Sequence, residues 1–351
     1  SALSLAFGGG ATGGTAYIDS TEEFTAPATF RQFNIGDIYY NADPSSGVLK
    51  YVGYGTGTWA SGANINTARS RIGGATQATQ SAGIIWGNGD PPHGATEEFD
   101  GTSWSEQDDL NTPRYISYGG GGTQTAAITA GGLNPAASPA YATVNSEEYN
   151  GSTWSEEADI NEGRIDCTTF GTQTSCILTG GGEASGSPGT VASVEEWNGT
   201  AWSETSDIPA PRQEMAGCGI ETAGIIVGGS QDSNPTMTAE TLEWDGTSFS
   251  EGGDYGFTIK YTTAFGTATN AIVAGGSTSA PAKTAVAATY DGTSWTEVAE
   301  IATARQGSAS NGAPGTAGLI TGGEIPPGGQ SNATEEWELP LGLKTLASTN
   351  A

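Results

Sequence analysis

Apolar residues in this chain come in short bursts, each closed by glycine, asparagine or aspartate, and no stretch keeps a helical period. The unit is clearest in the middle of the chain. There, runs at 114–118, 125–129, 144–149 and 152–156 are rich in Thr, Val, Ile and aromatics, and the second leads into Gly131-Gly132. Such runs fit half-buried strands, and the intervening Gly, Asn and Asp residues fit turns. The pattern then repeats. The stretch Glu97-Glu98-Phe99-Asp100-Gly101-Thr102-Ser103-Trp104 has counterparts beginning at Glu147, Glu195, Leu242, Ala288 and Glu335, in steps of 50, 48, 47, 46 and 47 residues. A constant period of this size marks a repeat array in which each unit covers its apolar face with its neighbours. Four short strands per unit predict the blade of a β-propeller.

Glycine turns at Gly8, Gly87, Gly131, Gly180, Gly228, Gly275 and Gly322 predict seven blades within one domain over 1–349. Leu3 to Gly9 and Thr21-Glu22-Glu23-Phe24 place the chain's start inside a first unit that lacks its own first strand, and Leu343 to Leu346 falls where the last unit needs its fourth. Between Phe24 and Trp59 the spacing opens by roughly 30 residues beyond the usual interval. Within that insertion, 25–58, the runs 35–40 and 48–52 flank a cluster of turn formers and predict a β-hairpin in blade one.

Each recurrent position has a structural meaning. Asp100-Gly101, Asn150-Gly151, Asn198-Gly199, Asp245-Gly246 and Asp291-Gly292 suit tight turns between the third and fourth strands. The Trp at 59, 104, 154, 202 and 295, with Phe249 in its place once, is expected to wedge between blades. The paired acids should face opposite sides of their strand. One cation opens each first strand, at Arg69, Arg114, Arg164, Arg212, Lys260 and Arg305, and blade-to-blade pairing with the acids is expected.

Charge narrows the partners. Eleven basic against 39 acidic residues give a net charge of −28, which repels phosphate backbones and anionic surfaces, so neither nucleic acid nor membrane insertion is expected. Cys167, Cys176 and Cys218 have no paired spacing and fit small packing residues, with a Cys167–Cys176 disulfide as the alternative. His93 is the single histidine, too few for a copper oxidase, and the arginines are spread one per unit without a catalytic set. No catalytic residue, cofactor or metal site is expected.

Diglycine after an apolar strand, an aromatic after paired acids, then Trp, repeated along nearly the whole chain, is similar to the kelch repeat. The resemblance implies an all-β, seven-bladed propeller of four-stranded antiparallel blades. The Asn/Asp-Gly-Thr/Ser-x-Trp-Ser/Thr-Glu blades, the Gly171-Thr172-Gln173-Thr174 turn and the insertion from Gly36 to Tyr51 further resemble kelch-type virion proteins of marine tailed phages. That resemblance implies a non-enzymatic structural protein on the capsid or tail, assembled in the host cytoplasm and attaching to a host surface protein or glycan. The alternative is a secreted bacterial carbohydrate-binding or carbohydrate-active propeller.

Two regions are candidates for contact with partners. Tyr39, Tyr40, Tyr51 and Tyr54 of the insertion offer aromatic area for docking to other virion proteins. The loops between second and third strands vary most from unit to unit, and variable loops on a rigid frame are the usual place for recognition. Their candidate residues are Asn88, His93, Asn134, Tyr141, Glu183, Gln231, Asp232, Asn234, Lys283, Gln330 and Asn332.

Overall fold

The structure is a computed structural model that describes residues 38–41, 48–91, 94–115, 117–135, 141–183, 189–231, 236–278 and 282–345. The chain divides into two compact units. The larger, Thr56–Pro340, is a β-propeller whose described residues form six antiparallel four-stranded blades, here lettered A to F in chain order. Blade A runs Gly73–Gly74, Gly83–Trp86, Thr96–Phe99 and Trp104–Gln107 from the centre outward. Blades B to E follow over 121–156, 167–204, 216–251 and 263–297.

The sequence predicts seven blades; the described residues form six, the last of them blade F. Its three inner strands are Ala309–Asn311, Ala317–Thr321 and Thr334–Glu338, and its outer strand is Thr58–Ser61, with Trp59 opposite Trp337. The Trp59 strand therefore completes the last unit, and the propeller closes by joining the two ends of its own sequence. Closure removes the exposed edges that an open array would leave. The units expected at Leu3–Gly9 and Thr21–Phe24 lie outside the described residues.

The second unit, formed from Ser1–Gly55 and Leu341–Ala351, contains a three-stranded sheet of Ile38–Asn41, Val48–Tyr54 and Leu341–Thr345. The expected hairpin is present, with Tyr39 opposite Lys50 and Ile38 opposite Tyr51. Leu343 pairs with Val52, so the C-terminal strand belongs to the hairpin and not to a blade.

Around the propeller, neighbouring blades are joined by the recurrent residues. Trp154 of blade B donates from Nε1 to Thr96 Oγ1 of blade A at 3.0 Å and sets its ring 5.2 Å from Trp86. Trp202 and Trp295 repeat the contact with Ser146 and Thr241, so the wedge reading holds. On the turn face, Gln124 and Gln173 donate to the preceding blade's Phe99 and Tyr149 carbonyls, each at 2.7 Å. Asp100 Oδ1 accepts from the Thr102 and Ser103 amides at 2.8 Å while Gly101 takes φ 87°, a tight turn that the Asp-Gly pair favours.

Candidate functional site

The arginine column builds the face on which the variable loops emerge. Arg114 is buried and donates from Nη1 to the Gly131 and Asn145 carbonyls at 3.0 and 2.7 Å, and from Nη2 to Glu147 Oε1 at 2.6 Å. Glu147 also accepts from the Asn111 and Thr112 amides at 2.7 and 3.0 Å, so the buried pair is surrounded by donors and acceptors. Arg69–Glu97, Arg164–Glu195 and Arg305–Glu335 repeat it. Burial pulls the Arg114 and Arg305 pKa values down despite their carboxylate partners.

These ion pairs form within one repeat, not from blade to blade. Main-chain bonds beside them do cross the seam. The Gly132 amide of blade B donates to the Arg164 carbonyl leading into blade C at 2.8 Å, and Gly181, Gly276 and Gly323 do the same to Arg212, Arg305 and Arg69. The Gly229 amide donates to Ile259, so Ile259 and not Lys260 occupies this place ahead of blade E. There the acid position is Ala288, and both residues are buried and apolar. Ahead of blade D, Leu242 replaces the acid and Arg212 pairs with the more exposed Glu240.

Two residues beyond the arginine column the chain turns into the central channel, in the left-handed conformation. Arg71, Asp166, Glu214, Tyr261 and Gly307 have φ of 58°, 53°, 64°, 53° and 61°. Their backbones link around the channel mouth: the amides of Arg71, Gly307, Tyr261 and Glu214 donate to the carbonyls of Gly307, Tyr261, Glu214 and Asp166 at 2.7, 2.9, 2.9 and 2.8 Å. Blades A, C, D and E thus each send a different side chain to one place.

That place holds a charged, aromatic cluster. Lys260 Nζ lies 2.7 Å from Glu214 Oε2 and 4.7 Å from the Tyr261 ring, while Tyr261 donates to Glu214 Oε1 and Ser230 donates to Oε2 at 2.6 Å. Tyr118 of the segment Ser117–Gly119 reaches Tyr261 from the opposite side of the ring, with centroids 6.0 Å apart. Beneath them lies a small cavity with room for about one water molecule, lined by Tyr118, Thr168, Thr262, Thr263, Ser308 and Ser310 among others. At the far end Gln77 of blade A donates across the channel to the Gly219 carbonyl of blade D at 2.7 Å.

Asp166 is 7% exposed, and its Oδ1 has no hydrogen-bond partner among the described residues; the same is true of Tyr118 OH and Thr168 Oγ1. Burial, reinforced by Glu214 and opposed by Arg71 and Lys260, pushes the Asp166 carboxyl up to about 7. Burial likewise raises Tyr118 and Tyr261, with Asp166 adding to both. For Arg71, burial acts to lower the pKa, but nearby Tyr118, Tyr261, Asp166 and Glu324 outweigh it and the net shift is upward.

The loop residues named from sequence surround this mouth only in part. Lys283 pairs with Glu324 at 3.0 Å, and Gln330 donates to Asp90 at 2.7 Å, tying loops of neighbouring blades together. Asn88 is buried; Asn134 and Gln231 are half-buried; Glu183 and Asn332 are exposed. His93, Asp232 and Asn234 lie outside the described residues, and Tyr141 is described only as the strand partner of Asn134. Tyr39, Tyr40, Tyr51 and Tyr54 lie in the separate three-stranded unit. Arg71, Tyr118, Asp166, Glu214 and Tyr261 were not singled out from sequence. The available signal was a column two residues after the fixed arginine, or after Ile259 where it takes the arginine's place, in which no two units agree: Arg71, Ile116, Asp166, Glu214, Tyr261 and Gly307.

The fold and the mouth define an all-β propeller with a funnelled central site. The chain is similar in structure to the protein solved as "Structure of YjhT", with a TM-score of 0.67 and 14% identity over 80% of this chain and 99% of that one. At that identity the likeness is one of fold alone. No protein-family model matches the chain, and no curated protein matches it.

Proposed function

We propose that the chain is a non-enzymatic kelch-type virion structural protein, displayed on the capsid or tail. The propeller is its rigid frame, and the Ile38–Tyr54 hairpin is its means of assembly with other virion proteins. The supporting observation is that this hairpin and the C-terminal strand form a compact unit of their own, while the propeller closes using Thr58–Ser61. A unit not needed to close the ring is free to evolve contacts with a partner, and its tyrosines supply the residue type enriched in such contacts. The variable-loop face is then left for host-surface attachment.

Quantitative mass spectrometry of particles purified from the virus that encodes the chain tests this reading. A fixed copy ratio to the major capsid protein is the expected result. Presence in the lysate but absence from particles overturns it. A Tyr39→Ser/Tyr51→Ser variant should show reduced incorporation with an unchanged propeller melting transition.

A further inference from the structure

We infer that the space under the channel mouth is a binding site for one internal water molecule, which bridges the Tyr118 and Thr168 hydroxyls and fastens the segment Ser117–Gly119 to the innermost strands of the ring.

The course of that segment makes the site. Ser117–Gly119 precedes the inner strand of blade B, Gly121–Thr123, yet it lies parallel to Cys167–Gly171 and adds a fifth strand to blade C. Glycine allows the approach: Gly119 has φ 80°, and an added Cβ would stand 2.7 Å from the Thr169 carbonyl oxygen. In this register Tyr118 is opposite Thr168, so the two side chains leave the sheet on the same face. Both line the cavity, whose other walls come from the inner strands of blades D, E and F and the residues just before them.

The hydrogen bonds already made around the cavity define what can sit in it. Thr262 Oγ1 donates to the Ala274 carbonyl at 3.1 Å, Ser308 Oγ to Gly322 at 3.3 Å and Ser310 Oγ to Ala264 at 2.7 Å. These three oxygens have spent their hydrogens and keep only lone pairs. Tyr118 and Thr168 are in the opposite condition. Both are buried, and neither hydroxyl has a hydrogen-bond partner among the described residues, so each still has a hydrogen to give.

The occupant must therefore accept from two hydroxyls, donate to others, and fit a space for about one water molecule. Water meets all three conditions. A cation would find no ionised side chain among the lining residues, and shedding its hydration shell against neutral hydroxyls is costly. An anion is opposed by the −28 charge of the chain. A buried hydroxyl without a partner destabilises the fold, and a bridging water removes that cost for both hydroxyls at once. Bound there, the water fills the channel under the mouth and ties Tyr118 to blade C by a second link beside the strand ladder.

The test combines a high-resolution crystal structure of the full chain with magnetic relaxation dispersion of solvent water, which counts long-lived internal waters. The crystal structure should place one water within hydrogen-bonding distance of both Tyr118 Oη and Thr168 Oγ1. The variant Tyr118→Phe/Thr168→Val should lose one long-lived water from the count, whereas Thr168→Ser, which keeps the hydroxyl, should retain it. Thermal melts check that the variants fold; if the double variant does not, the wild-type crystal structure decides. A direct Tyr118–Thr168 hydrogen bond, a site without solvent density, or an unchanged count in the folded double variant overturns the inference. So does a melting temperature that gains more from sodium or potassium chloride than from choline chloride in the wild type but not in the double variant, which would mark a bound cation.

Discussion

Arg164 and Asp166 are two residues apart, both buried and both ionisable, yet they belong to opposite kinds of position. Arg164 recurs as Arg69, Arg114, Arg212 and Arg305; its guanidinium meets Glu195 and the Ser193 and Gly180 carbonyls, and its own carbonyl receives the Gly132 amide of the preceding blade. Asp166 is matched by another carboxylate only at Glu214, whose oxygens are taken, and one of its own oxygens is left over. Arg164 is fully satisfied within its repeat, whereas Asp166 keeps an open valence; the column itself is uneven, since Arg69 Nε and Arg212 Nε and Nη1 have no partner among the described residues. The arginine site is itself replaceable: in blade E the pair gives way to Ile259 and Ala288, both buried, with the same main-chain bond retained. The seam therefore needs the backbone geometry, and the ion pair is one of two ways to fill the space behind it.

The largest expected effect tests that equivalence. Arg164→Ala leaves Glu195 buried and unpaired, and should cost about 3–5 kcal/mol in denaturant unfolding. Arg164→Ile with Glu195→Ala, which transplants the blade E solution, should recover most of the loss. If the double variant is as unstable as the single one, the two fillings are not interchangeable.

Next in size is the pH response of Asp166. Its folded pKa of about 7 lies above the unfolded value of roughly 3.9, so the folded state resists its ionisation. The group costs nothing below the unfolded pKa; its penalty grows as pH rises through that window and levels off above about 7. Acidifying from about pH 8 to about pH 5 should therefore stabilise the native chain relative to Asp166→Asn by roughly 2 kcal/mol. Glu98, Glu148 and Glu336 are also raised by burial and act in the same sense in both proteins, so the comparison isolates Asp166. Parallel melting curves across that range would show that the carboxyl is solvated like any other.

The smallest effect concerns the glycine that brings the blades together. Gly131 has φ 67°, and an added Cβ would sit 2.9 Å from the Arg164 carbonyl oxygen. Gly131→Ala should cost about 1–2 kcal/mol for the left-handed backbone. A neutral substitution would mean that the seam is slack enough to shift.

Much of this was legible in the chain. The strand-turn pattern around Gly131-Gly132 and Asn150-Gly151, and the wedge role of Trp154 and Trp202, depend on local conformation and on contacts that recur with every unit, so period alone exposes them. The blade that the Trp59 strand completes is not legible, because Trp59 looks the same in a unit begun at Thr21 and in one begun at Ala309; the choice is a pairing between residues far apart in sequence. Lys260 was taken for the fifth arginine because a cation was sought where Ile259 fills the place.

By itself the sequence determined the class of protein, because a periodic string of short strands and glycine turns has few ways to cover its apolar faces other than by stacking like units. Only the tertiary structure decided how the ring closes and which side chains share its mouth. Asp166, Glu214 and Tyr261 are each about one repeat apart in sequence, Arg71 lies about two repeats before Asp166, and rotation about a common axis brings them together. Their convergence is a property of the ring, and it is the closing strand Thr58–Ser61 that completes the ring.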